Sequence, residues 1–346
     1  MSGTDPEAAG AVDSATRDRV IDALCGRLRG NYVFPATGAA MADHILASQA
    51  ASAYDAPSQV GGAALAEALT EDMREISNDL HLRALYRATP RPRYVEDDIG
   101  QNAERYAEYA RAAARRNFGF ERVERLPGNI GYLEQRALDD ARLASETAVA
   151  AMRLLATTDA LIIDLRRNGR ADPRLVALLC SYLLPAEPLH LNTFYARDDN
   201  SFEQFWTLPW LPVPRYLDKP VYLLTSRHTG SGAEELAYNL QTLKRATLLG
   251  TTTAGAAHPV RLHQLTPHFE VYIAFGRAIN PRTGTNWEGV GVMPDIALPA
   301  EQALVHAQKL ALQHALTLAD SDPERDDLAR EARTALELLE ADADAQ

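Results

Sequence analysis

Cysteine is scarce in this chain, with two in 346 residues, Cys25 and Cys180, far apart and each inside a helical pattern. That argues against a disulfide framework or a cysteine metal cluster and leaves two buried, reduced thiols. Positive charge is the minority, 35 Lys and Arg against 47 Asp and Glu, for a net charge of −12. A chain this acidic is not expected to take nucleic acid or an anionic membrane as its main partner. Part of the negative charge sits in residues 320–346, so the body is less acidic than the total. Long apolar runs are missing, and the N-terminus MSGTDPEAAGAVDSATRDRV has neither a basic n-region nor an apolar h-region. A cytoplasmic location with no membrane partner is the expectation. What is present, 46% hydrophobic and 24% charged residues, describes an ordinary globular chain. Its length suits one large domain with a smaller one.

Periodicity divides the chain into three parts: a helical bundle over 1–80, an α/β core over 81–318, and a charged helix or tail over 319–346. In the first, Asp13 or Ser14 caps a helix with Val20, Ile21, Leu24 and Leu28 on one face. A second segment carries Met41, Ile45 and Leu46, and a third follows Gly61-Gly62 with Leu65, Leu69, Met73 and Ile76. Three such helices can cover one another's apolar stripes. Alternation from Leu80 to Tyr86 predicts a strand that contains His81. A polar helical connector spans Gln101–Arg116. Strands are then predicted at Asn129–Gln135, Ala160–Leu165, Val221–Leu224 and Ala246–Gly250. Between and after them come helices at Ala141–Leu155, Pro173–Leu184 and Ala300–Leu318, and a hairpin over 260–275. Alternating strands and helices with buried strands indicate an α/β layered core. The tail is either a solvated helix or one that pairs with a second copy of the chain.

The richest stretch is Pro220–Gly250, PVYLLTSRHTGSGAEELAYNLQTLKRATLLG. A β-rich run breaks at Thr229-Gly230-Ser231-Gly232 and restarts as an amphipathic helix with Glu234 and Glu235 in its first turn. Ser231 is thereby set at a helix N-terminus, where unpaired amides and the macrodipole stabilise negative charge. A lone serine in that position is more often only an N-cap. The rest of the sequence decides between the two.

NDLHLRALY around His81, ALIIDLRRNGRADP from Ala160, LTSRHTGSGAEELAYNLQTLKRATLLGTTTAGAAHP from Leu224 and NWEGVGVMPDI from Asn286 together resemble one family. It is the tail-specific (C-terminal processing) serine peptidase family, and the likeness is nearest to the branch of interphotoreceptor retinoid-binding protein and its bacterial relatives. The resemblance runs from about residue 15 to 315. It implies a crotonase/Clp-protease-like ββα spiral core behind a small N-terminal helical bundle, with no metal and no organic cofactor.

By the same resemblance, Ser231 matches the nucleophile of an S-x-A-E helix start and His81 the base of a D-x-H motif whose aspartate is Asp79. Glu288 in NWEGVG matches the acid that orients the base. The chemistry agrees, since a serine needs a neighbouring base and the base a group that sets its tautomer. The family's other branch uses a lysine after the ATLLG strand, where this chain has GTTTAGAAHP with alanine in its place, so a Ser-Lys dyad is excluded. His258 in the same loop is a second-rank pocket residue or alternative base.

The chain departs from the family at the loop D-L-R-x-N-x-G-G, whose glycine amide contributes to the oxyanion hole. Asp164-Leu165-Arg166-Arg167-Asn168 is kept, but Gly169-Arg170-Ala171 follows. Gly232, Arg170 and Gly169 are therefore the candidate oxyanion residues, with Arg170 resisting positive φ. Losing one such donor costs about a hundredfold or more in rate. Arg170 also brings a cation that could attract an anionic substrate group. Two readings follow: a serine hydrolase acting on a peptide or other acyl substrate, and a non-peptidase that binds or converts an apolar small molecule in the same cleft. For the second, Ser201–Leu217 supplies Phe202, Phe205, Trp206 and Trp210 in a segment too proline-rich for a regular element, with Trp206 and Trp210 as candidate substrate contacts.

Overall fold

A computed structural model describes residues 10–92 and 103–344. Two compact units emerge. One holds the chain up to Tyr106, Phe194–Glu203 and His258–Ile279; the other holds Ala107–Thr193, Gln204–Ala257 and Asn280 onward.

The first unit starts with four helices rather than the three expected: α1 (Ser14–Asn31), α2 (Pro35–Ala50), α3 (Asp55–Val60) and α4 (Gly62–Ser77). Asp13 caps α1 by accepting the Thr16 N–H at 2.8 Å. The extra helix α3 is six residues long, too short for the periodicity to mark. The predicted stripes are buried together: Val20, Ile21, Leu24, Met41, Ile45, Leu65, Leu69 and Met73 form one core with Phe269, Val271 and Ile273. Those last three belong to β10 (Phe269–Ala274), the centre of an antiparallel sheet ordered β1 (Arg83–Tyr86), β10, β9 (Val260–Gln264). The 260–275 hairpin is thus present. The predicted strand at Leu80–Tyr86 is shorter than expected, and His81 lies in the turn before β1, because α4 ends at Asn78 in a left-handed conformation (φ 54°) and the chain must reverse first.

The second unit is built on a six-stranded sheet in the order β12 (Ile296–Ala297), β8 (Thr247–Gly250), β7 (Val221–Thr225), β4 (Ala160–Asp164), β3 (Ile130–Gln135), β2 (Phe120–Leu126). All neighbours are parallel except β2, an antiparallel edge strand that the sequence reading missed. Ile130, Tyr132, Ile162, Leu224 and Leu249 face one side and pack with α9 (Ala303–Asp320). Helices α6 (Ala141–Leu155), α7 (Pro173–Leu183) and α8 (Gly232–Thr242) follow β3, β4 and the segment after β7. Leu161, Ile163, Leu223 and Leu248 are fully or almost fully buried on the opposite pleat, the condition for a continuous apolar strand.

The charged tail forms α10 (Asp326–Asp344), and it packs against its own chain rather than standing free in solvent. Ala332 is fully buried and Ala335, Leu336 and Leu339 pack into the core beside α9. Its apolar stripe is mostly alanine, which reads as weakly hydrophobic in a sequence but allows close helix packing.

The connector helix α5 (Ala103–Ala114) and the strands β5 (His190–Ala196) and β6 (Ser201–Trp206) run across the boundaries between units, and β11 (Gly276–Ile279) closes the first. Gln101 and Asn102 of the predicted connector lie outside the described residues. β6 corrects the expectation that 201–217 lacks regular structure, since its prolines begin only at Pro209.

Candidate active site

The candidate residues fall on both units, and each group is described by itself. In the second unit, the loops after β4 and β7 lie at the carboxyl ends of adjacent parallel strands, where open α/β sheets place ligands. The two loops are joined. Gly230 N–H donates to the Asn168 carbonyl (2.9 Å), Thr229 Oγ1 to the Leu165 carbonyl (2.8 Å) and Ser226 Oγ to the Arg166 carbonyl (2.6 Å).

Ser231 is the N-cap of α8 and has φ 54° and ψ −127°, a conformation natural to glycine and costly for serine. What holds it there is Glu234, one turn on and fully buried. The Glu234 carboxylate accepts N–H groups from Ser231 (2.8 Å), Gly255 (2.6 Å) and Ala256 (2.9 Å), and the Thr253 hydroxyl. Burial raises the pKa of this carboxyl, and these donors work against that rise. Glu234 therefore ties the serine turn to the 253–256 loop. The S-x-A-E motif was visible in the sequence, but this role was not, because the partners lie 19 to 22 positions away.

Gly232 is the first residue of α8, so its amide is one of the unpaired N–H groups at a helix start. A Cβ there would sit 2.4 Å from Ala171 Cβ and 2.9 Å from its Cα, so only glycine lets the 168–171 loop lie against the helix. At Gly169 a Cβ would meet nothing nearer than the His228 carbonyl at 3.8 Å, so this glycine is not sterically required.

Arg170 differs from expectation in three ways. Its φ is not positive, so the loop does not ask for glycine there. Its amide, expected as an oxyanion donor, gives its hydrogen to Asn168 Oδ1 at 3.1 Å. Its guanidinium, expected to be available to a substrate anion, pairs with the buried Asp139 at 2.8 Å. Glu288 occupies a turn in which Gly289 N–H donates to the Gly255 carbonyl (2.8 Å) and the buried Trp287 donates Nε1–H to the Ala256 carbonyl (3.1 Å). Its Oε2 accepts the Ala257 N–H at 2.5 Å.

In the first unit, Asp79 is fully buried and heavily engaged. Oδ1 accepts the His81 N–H (3.0 Å), while Oδ2 accepts the Tyr32 hydroxyl (3.2 Å) and His258 Nδ1–H (3.1 Å). Burial alone would raise its pKa, yet the hydrogen bond and charge of His258, with His81, hold it below the usual carboxylate value. His258 packs edge-on to Phe34, with ring centroids 5.5 Å apart. Arg74 braces the turn by donating to the Leu80 (2.7 Å) and Leu82 (3.0 Å) carbonyls. His81 is half-buried, its Nδ1 has no hydrogen-bond partner among the described residues, and burial lowers its pKa.

The two tryptophans proposed as substrate contacts are exposed. Trp206 is 44% exposed and stacks on His190, and Trp210 is 76% exposed. Of Phe202, Phe205, Trp206 and Trp210, Phe205 alone is buried.

Residues 129–298 match the family model "Peptidase family S41". That segment, just under half of the chain, is similar to an S41 peptidase domain. Solved structures add the fold. A lipoprotein from Streptococcus agalactiae matches at 14% identity over 90% of this chain and 99% of its own, with a TM-score of 0.52. The tricorn protease matches at 12% identity over 86% of this chain and 37% of its own, also at 0.52. A photosystem II D1 C-terminal processing protease is 22% identical over 50% of this chain, with a TM-score of 0.40, and this chain spans 43% of that protein. The core is of the Clp-protease-like α/β class. No described helix is long and apolar enough to cross a membrane.

Proposed function

We propose that this chain cleaves peptide bonds through Ser231, His81 and Glu288, with the Gly232 amide as an oxyanion donor. His81 takes the Ser231 hydroxyl proton as Oγ attacks the scissile carbonyl, and Gly232 N–H receives the developing oxyanion at the start of α8. His81 then passes the proton to the leaving amine, and water completes the cycle by the reverse sequence. Glu288 orients the imidazole. The observation that carries this reading is the backbone of Ser231. A serine kept at φ 54° by a buried carboxylate with four donors is strain maintained by its surroundings, as at a nucleophile on a sharp strand-to-helix turn.

A second assignment of the base has its own support, since the Asp79–His258 hydrogen bond also supplies a histidine oriented by a carboxylate. Binding of an apolar small molecule has less, because the rings that would line its cleft stand on the surface. Placement in the retinoid-binding-protein-like branch rests on the helical N-terminal unit and the motif order.

The test is labelling by a broad fluorophosphonate probe. Ser231→Ala should abolish it, His81→Ala should abolish or nearly abolish it, and His258→Ala should retain more than His81→Ala. Labelling that persists in Ser231→Ala sinks the nucleophile. A larger loss in His258→Ala than in His81→Ala moves the base to His258.

A further inference from the structure

The 168–171 loop lies against the helix that starts at Ser231, yet it lacks the glycines its relatives use there, so something else must hold it. The segment after β3 supplies a rail. Leu138 N–H donates to the Arg170 carbonyl (3.1 Å) and Asp172 N–H to the Leu138 carbonyl (2.7 Å), forming a bridge between Leu138 and Ala171. Ala141 N–H adds a bond to Asp172 Oδ2 at 2.9 Å. Beside this ladder is Asp139, whose side chain is 1% exposed.

Three donors converge on that carboxylate. Arg170 Nη2 reaches Oδ1 at 2.8 Å, Tyr109 hydroxyl reaches Oδ1 at 3.2 Å, and Arg116 Nη2 reaches Oδ2 at 3.3 Å. A buried carboxylate is stable only with such partners, and the set satisfies both oxygens. Of the three, only Arg170 comes from the loop beside the serine.

We propose that Asp139 is a positioning residue, which clamps Arg170 and so fixes the 168–171 loop against the start of α8. The inference rests on the reading of Ser231 as nucleophile. Ala171 touches the position that only a glycine can fill at 232, so a shift of Arg170 is carried through Ala171 to the Gly232 amide. The Arg170 side chain thus fixes by an ion pair a loop whose backbone at 170 does not call for glycine. Because Arg170 contacts Asp139 through one nitrogen, a lysine can replace it in kind.

The experiment uses the full chain and four variants: Arg170→Met, Arg170→Lys, Asp139→Asn, and Asp139→Asn with Arg170→Met. Three readouts are taken: the rate of fluorophosphonate labelling, deuterium uptake over 166–173, and the melting temperature. Arg170→Met should slow labelling on the order of ten- to a hundredfold and raise uptake in that segment. Arg170→Lys should recover most of both. The double variant should be little worse than either single change, since one interaction is removed in each. Wild-type labelling and uptake in Arg170→Met overturn the proposal, as do multiplicative losses in the double variant. Equal losses in Arg170→Lys and Arg170→Met also count against it. If the wild-type chain takes no label, the nucleophile reading fails by itself, and the uptake comparison still decides whether Asp139 holds the loop.

Discussion

His258 donates its Nδ1–H to Asp79 at 3.1 Å, joining residues 179 positions apart on a carboxylate with no exposed surface. Two further donors, Tyr32 and His81, come to the same group. Removing the carboxylate takes this buried acceptor from all three. Asp79→Ala should therefore cost about 3 kcal/mol or more, read as a fall in the urea midpoint at pH 7. Because the folded-state pKa is lowered, the carboxylate's contribution is present above the unfolded value and lost as pH falls through the acid range. The gap between wild type and variant should shrink toward pH 3, and a constant gap would contradict the assignment.

Burial lowers the pKa of His81, so its neutral form persists below the ordinary histidine value of about 6.5. A base must be neutral to accept the serine proton. The acid limb of a kcat/KM profile, or of labelling rate against pH, should have its midpoint below 6.5. Asp79→Asn removes a charge that favours the imidazolium and should move that limb lower still. A midpoint above 7 would identify a different base.

Two glycines near Ser231 should respond oppositely to the same change. Gly232→Ala forces a Cβ into Ala171 and should cost about 1–3 kcal/mol along with most of the labelling. Gly169→Ala meets only ordinary contact and should change stability by about 0.5 kcal/mol or less. Thermal melts of the two variants side by side decide this, and equal losses would show that the loop packing is wrong.

Glu235, next to the clamp of Ser231, is fully buried, and burial raises its pKa to about 7, opposed by a hydrogen bond from the Asn192 amide to Oε1 at 3.2 Å and assisted by the charge of Asp172. A carboxyl whose folded pKa is raised costs stability when ionised. That cost is absent below the unfolded value of about 4.5, grows as pH rises from there to about 7, and is constant above. Glu235→Gln should therefore stabilise the protein at pH 8, by about 3 kcal/mol at most, and have little effect at pH 4.5. Greater destabilisation of Glu235→Gln at pH 8 than at pH 4.5 would show that the carboxylate is needed charged.

Much was legible from local pattern. The helices α1, α4, α6 and α7 and the parallel strands β3, β4, β7 and β8 declare themselves because burial on one face or both leaves a period that neighbours in sequence report. The same local signal marks Ser231, since a glycine-flanked turn before an amphipathic helix is a property of a dozen consecutive residues. The edge strand β2 and the exposed β6 escaped, because strands with few buried residues carry little apolar pattern. The tail was legible as a helix, but its packing face escaped for a related reason, being built largely from alanine.

What only tertiary structure decided is which polar group each charge meets. Sequence alone set a cation at Arg170 and an aspartate at Asp79. It could not say that Arg170 turns to Asp139, 31 positions earlier, or that Asp79 takes His258 as well as the neighbouring His81. Hydrophobic burial is non-directional and leaves a periodic trace along the chain. Hydrogen bonds and ion pairs are directional and short, and between distant residues they leave no such trace. The strand–helix alternation of the core and the glycine-flanked turn at Ser231 were therefore written in the sequence, while the contacts that support that turn exist only where folding brings distant side chains within 3 Å or so of one another.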